Sequence, residues 1–176
     1  KTSIIKSVAR AMGRKYARLS LGGVHEEPQI RGFQRTYVGA KQGNIIDTIV
    51  RAQSENPVIA LDEVDKLSRS ANRGDPAAAL LEVLDPEQNH AYRDQYLNVP
   101  FDLSQVLFIA TANSLEDIPG PLRDRMEIIT IPGYSELQKM EIAIRHLVPQ
   151  QLAAHALADE DINFSPMTMR ALIRGW

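Results

Sequence analysis

Two uninterrupted apolar runs, each closed by polar groups, constrain this chain more than anything else in it. Val58-Ile59-Ala60-Leu61 leads into Asp62-Glu63, and Phe108-Ile109-Ala110 leads through Thr111-Ala112 to Asn113. A strand that is apolar on both faces needs cover on both sides, the condition of an interior strand in a parallel α/β sheet. Such sheets receive ligands at the carboxyl ends of their strands, and that is where both polar closures fall. The chain opens with Lys1-Thr2-Ser3 at the head of a helical pattern. A lysine for β- and γ-phosphates, a hydroxyl and an acid for a metal, and a second acid to activate water form a set suited to a nucleoside triphosphate with Mg²⁺. Lys1, Thr2, Ser3 and Asp62 are therefore read as nucleotide-binding residues, with Thr2 and Asp62 as Mg²⁺ ligands. Glu63 is read as the catalytic acid, and Asn113 joins it from the second run.

Composition narrows the partners. The 176 residues suffice for one domain and part of a second, and 44% hydrophobic with 24% charged residues is the balance of a soluble globular protein. A formal net charge of -2 gives no bulk electrostatic reason to bind nucleic acid, which stays possible but not indicated. Cysteine is absent, so disulfides and thiolate metal sites are excluded. No apolar stretch is long enough to span a bilayer, and no membrane partner is expected. A phosphate-binding loop needs glycines ahead of its lysine so that backbone N–H groups can reach the phosphates. Nothing precedes Lys1, so the chain is expected to be a piece of a longer one and to have negligible ATPase activity by itself.

Along the chain, periodicity predicts a helix over 2–12, a strand over 16–21, an exposed loop over 24–43 and a helix over 44–52. Val58 to Leu61 and Val106 to Ala112 are predicted strands, and Glu127 to Ile131 a third. Asp75-Pro76 reads as an N-cap followed by proline at the first helical position, opening a helix to Leu84. Residues near 90–102 suggest a hairpin, with Ala91-Tyr92 and Tyr96-Leu97-Asn98-Val99 flanking a polar turn. Pro132-Gly133 is the predicted boundary between an α/β domain, 1–132, and an α-helical one, 133–176. Beyond it, Ser135 with Gln138 forms a capping-box pattern. Leu137, Met140, Ile144 and Leu147 mark a helix face, and Ser165-Pro166 opens a last helix.

Two more features bear on chemistry. Asp124-Arg125 reads blandly as a surface ion pair of little energetic value. Its functional reading is an arginine finger for a neighbouring subunit's γ-phosphate. Tyr37-Val38 is either a half-buried loop aromatic or a grip that contacts extended polypeptide without reading its sequence. His25, His90, His146 and His155 lack metal-ligand spacing, and Lys6, Arg10, Arg14 and Lys15 form a solvated helix face.

These residues lie within longer stretches: Arg35-Thr36-Tyr37-Val38-Gly39-Ala40, the 61–67 segment around Asp62-Glu63, the Gly74–Asn89 run, the 108–113 segment and Asp124-Arg125-Met126-Glu127. Together they resemble the AAA+ ATPase module of the Lon family of ATP-dependent proteases along nearly the whole chain. The resemblance implies a three-layer α/β P-loop NTPase domain with a mostly parallel sheet, followed by the start of a small all-α domain. It implies that Lys1 and Thr2 close the Walker A loop, that Asp62 and Glu63 are Walker B, and that Asn113 is sensor 1. Arg125 would be the finger and Tyr37-Val38 the first pore loop. It further implies a ring of identical subunits, usually six. Such a ring drives unfolded or damaged protein into a fused Ser/Lys peptidase chamber, in the cytoplasm or else in the mitochondrial matrix or peroxisome. The chain departs from the pattern at Phe33-Gln34 and Lys41-Gln42 beside the pore loop. It also carries Arg123 where many members have leucine, which makes Arg123 a second candidate finger. The competing function is a non-proteolytic AAA+ remodelling ATPase, which the near-neutral charge and the Gly74–Asn89 run disfavour.

Overall fold

The computed structural model describes residues 2–67, 74–158, 162 and 164–175. Lys1 lies outside them. The chain divides into two compact units, Lys1–Glu127 and Ile128–Trp176.

In the first unit, α1 (Thr2–Ala11) leads through a tight turn into β1 (Tyr16–Ser20). The expected loop over 24–43 is interrupted by α2 (Glu27–Arg31), a correction to the sequence reading. This helix has only one apolar anchor, Ile30, which is fully buried. Five residues with a single anchor give no periodic signal. Its start is fixed by a capping box between Glu26 and Gln29. Then come α3 (Asn44–Ala52), β2 (Val58–Asp62) and α4 (Pro76–Leu84). The Asp75 side chain caps α4 by accepting from Ala77 N–H at 2.9 Å, as its sequence pattern predicts.

A short antiparallel pair, β3 (Tyr92–Arg93) and β4 (Pro100–Phe101), precedes β5 (Leu107–Ala110) and α5 (Gly120–Arg123). The hairpin exists, but its ladder pairs Tyr92 with Phe101, so Tyr96 to Val99 belong to the turn and not to a strand.

The strands β1, β2 and β5 form a parallel sheet with β2 in the middle. The two-residue alternation of a strand sorts its side chains. Val58 and Ala60 of β2, with Leu107 and Ile109 of β5, pack against Ile5 and Ala9 of α1. Ile59 and Leu61, with Phe108, Ala110 and Leu19, join the larger core under α2, α3 and α4. Every residue of β2 is buried, as its two-faced apolar run requires.

The second unit is helical. Ser135 caps α6 (Glu136–Ile142) in a reciprocal box with Gln138. A π-turn, Ala143–Leu147, continues into α7 (Val148–Ala154). Pro149 explains the widened turn, because proline has no N–H to donate and its ring crowds the carbonyl four residues back. Ser165 caps α8 (Pro166–Arg174). Leu137, Ile144 and Leu147 are exposed, and Ala143, Leu152 and Met169 are buried instead. The strand expected over 127–131 is absent: Ile128, Ile129 and Ile131 are exposed and make no ladder among the described residues. Isoleucine and threonine favour strands only where a neighbouring strand pairs with them.

Candidate nucleotide site

Three strand ends converge on one edge of the sheet. Leu21 N–H donates to Asp62 O at 2.8 Å, and Thr111 N–H to Leu61 O at 2.9 Å, extending the ladder beyond the last strand residues. At the opposite edge, Val58 N–H bonds Lys15 O, and Arg14 reaches Gln105 O at 3.1 Å. These contacts hold the carboxyl end of α1 at the amino ends of the strands. Its amino end, at Thr2, is therefore directed toward the edge that carries Asp62.

Alternation turns Asp62 to the α1 face of the sheet, and it is buried. One carboxylate oxygen accepts from the Thr111 hydroxyl. The other accepts from Arg18, at 2.8 Å from Nε and 2.5 Å from Nη2. The Thr111 hydrogen bond and the Arg18 guanidinium together hold its carboxyl below the usual carboxylate range, against the opposing effect of burial.

Glu63 follows in a left-handed conformation, φ 61° and ψ 48°, unusual for a residue with a side chain. Thr111 secures it, since Thr111 Oγ1 accepts from Glu63 N–H at 3.3 Å and Thr111 O accepts from Val64 N–H at 3.0 Å. The reversal lays the Glu63 carboxylate over Gly22, where a Cβ would strike it, and Lys66 pairs with the same carboxylate. The hydrogen bond and charge of Glu63 raise the Lys66 pKa.

Beside these acids, Asp65 Oδ2 accepts from the backbone N–H groups of Asn113 at 3.0 Å and Ser114 at 3.4 Å. Asp62, Glu63 and Asn113 are thus brought together, with Thr111 and Asp65 as the ties between strands. Thr2 and Ser3 open α1. Arg125 pairs with Asp85 Oδ1 at 2.8 Å, and among the described residues it makes no contact with the acids. Arg123 is exposed on α5. Tyr37 and Val38 sit at an exposed turn, Tyr37 at 64% and Val38 fully accessible.

Sequence reading missed Thr111 and Arg18. The available signals were a hydroxyl at the end of a buried strand and an arginine within the predicted strand β1. Neither names its partner.

The donor set suits a hard divalent cation held together with phosphates. Mg²⁺ usually takes one or two carboxylates and keeps its remaining positions for phosphate and water. Among the described residues no cluster of three His, Cys, Asp or Glu side chains could hold a metal alone. Arg18, with its side chain 57% exposed, has room to swing off Asp62.

The chain is similar to known proteins. The chain is 58% identical over 174 residues to a Lon protease of Desulfovibrio desulfuricans, 99% of this chain and 20% of that protein. It is 62% identical over 174 residues to one of Dictyoglomus thermophilum, and 58% identical over 176 to Lon protease 2 of Bdellovibrio bacteriovorus, in each case 22% of the relative. The chain thus spans about a fifth of the length of the curated relatives it matches. The model for the ATPase family associated with various cellular activities matches residues 1–134, which include Asp62, Glu63, Asn113 and Arg125. On that match, this chain belongs to the AAA family of ATPases.

Proposed function

We propose that this chain is the motor portion of an ATP-dependent protease, which unfolds protein substrates and drives them into a fused Ser/Lys peptidase chamber. The observation that carries the reading is the paired acid at the end of β2: Asp62 held ionised, and Glu63 turned by a left-handed backbone over Gly22. In this reading Lys1, Thr2 and Ser3 bind the phosphates of ATP, and Thr2 and Asp62 hold Mg²⁺. When bound, Mg²⁺ neutralises charge on the phosphate oxygens. Glu63 accepts the proton of the attacking water and orients it, and Asn113 helps to position that water. Arg125 reaches the γ-phosphate of a neighbouring subunit, so the site is complete only in a ring of identical subunits, a homohexamer. Tyr37 and Val38 grip the translocating polypeptide. Residues 133–176 begin a small α domain after the nucleotide-binding domain of 1–132. Cytoplasmic protein quality control is the setting this function fits.

The test is Glu63→Gln in the full-length protein. Glutamine keeps the shape but cannot take the proton. ATP should still bind, while hydrolysis and ATP-dependent degradation stop. Turnover at the parent rate would remove Glu63 from the mechanism.

A further inference from the structure

The Tyr37–Val38 turn is exposed, yet both ends of its loop are fastened, and the fastening comes from a distant part of the chain. At the neck, Phe33 N–H donates to Lys41 O at 3.0 Å. Below the neck lie Gly32 and Gly43, both buried. Gly32 has φ +88°, and its missing Cβ leaves the space that the Asp94 carboxylate fills. Gly43 lies against the backbone of Ile30 and Gly32, where any Cβ would collide.

Asp94 is 1% exposed and belongs to the turn between β3 and β4. Its Oδ2 accepts from Gly43 N–H at 2.6 Å, and its Oδ1 accepts from the N–H groups of Tyr96 at 2.9 Å and Leu97 at 3.0 Å. A second tie comes from the loop itself. Arg35 Nε donates to Tyr96 O at 2.6 Å and Nη2 to Leu97 O at 3.3 Å, and its guanidinium lies 5.4 Å from the centre of the Tyr96 ring. Gln95 N–H bonds Arg31 O at 2.7 Å, just before Gly32.

We propose that Asp94 and Arg35 are positioning residues for the Tyr37–Val38 loop. They fasten its base and one arm to the 94–97 turn, so that loop and hairpin move as one body. A buried carboxyl group whose two oxygens both serve backbone donors fixes those donors in space, because a donor released in the interior has no water to replace its lost partner. The Arg35 fork adds direction, which a lysine cannot reproduce. The consequence for function rests on the pore-loop reading above: a braced loop transmits force to a polypeptide, and a slack one slips.

The test separates the brace from that reading. A nitroxide placed through Val38→Cys in the full-length protein reports loop motion on the nanosecond scale. Alongside it, the KM for an unfolded polypeptide substrate is measured. Arg35→Ala should free the label, shortening its correlation time by about twofold or more. Arg35→Lys should restore only part of the immobilisation, and Asp94→Asn should loosen the loop as well. Arg35 is exposed, so its variants remain informative if Asp94→Asn does not fold. An unchanged spectrum in Arg35→Ala would overturn the proposal. A freed label with KM unchanged would keep the brace and remove the pore-loop reading instead.

Discussion

Thr111 and Asp62, on neighbouring strands, share a buried hydrogen bond in which the threonine hydroxyl donates to the carboxylate, and the same hydroxyl oxygen accepts the N–H of Glu63. One side chain thus holds both acids of the candidate site. It stands two residues before Asn113, so the segment that leaves β5 contributes to the site twice.

Replacing Thr111 with valine keeps the shape and removes the hydroxyl. A hydrogen bond to a buried charged group is worth about 1.5–3 kcal/mol, and Thr111→Val should destabilise the protein by that order. The pH dependence fixes the cause. The folded-state pKa of Asp62 is lowered, chiefly by Thr111, so this stabilisation is present above the unfolded pKa and is lost as pH falls through the folded one. The gap between parent and variant, read from thermal melts, should be widest near neutrality and close in acid. A gap of constant size would point to lost packing.

Asp85 and Arg125 give a second pH-dependent prediction. Asp85 is held below the usual carboxylate range first by the backbone N–H of Glu87, with Arg125 and Gln88 adding to the effect. Asp85→Asn should lower the melting temperature at neutral pH. The difference should shrink as pH falls below about 4, where the parent loses the same charge. Asp85 pairs with Arg125, so on the finger role proposed for Arg125 the variant should also slow ATP hydrolysis in the full-length protein without abolishing it. Melting curves and turnover measured on the same preparation check both arms.

Tyr37→Ala removes an exposed ring that makes no contribution to the core. Melting should not change. Degradation of a folded substrate should fall by roughly tenfold or more, the scale of losing one aromatic anchor, while substrate-free ATP hydrolysis persists. Equal loss of both activities would mark the tyrosine as structural.

The sequence disclosed what depends on local pattern. Val58 to Leu61 has no polar face, so it reads as an interior strand, and Asp75-Pro76 and Ser135 announce helix starts through capping chemistry within a turn of themselves. What stayed hidden depends on contacts across the fold. Thr111 and Asp62 are 49 residues apart, and Arg18 and Asp62 are 44 apart. No spacing rule joins them. The 127–131 segment misled in the opposite direction: its residues favour a strand, but a strand is a pairing and not a property of one segment. The left-handed Glu63 was equally invisible, because an acidic residue gives no hint of a conformation that usually favours glycine.

That conformation yields a prediction in which stability and activity part. A left-handed backbone costs a residue with a side chain about 1–2 kcal/mol, and glycine recovers most of this while adding about 0.5–1 kcal/mol of lost chain entropy. Glu63→Gly should therefore leave the full-length protein as stable as the parent or more stable, by up to about 1 kcal/mol. Glu63→Ala keeps the strain and should show no such gain. On the role proposed for Glu63, both variants should also lose ATP hydrolysis, since neither has a carboxylate to take the proton of the attacking water. Chemical denaturation midpoints beside turnover rates decide the matter. A glycine variant less stable than the alanine one would mean that the conformation of Glu63 is not strained, whereas both variants falling equally below the parent would mean that the carboxylate, through Lys66, holds the end of β2 together.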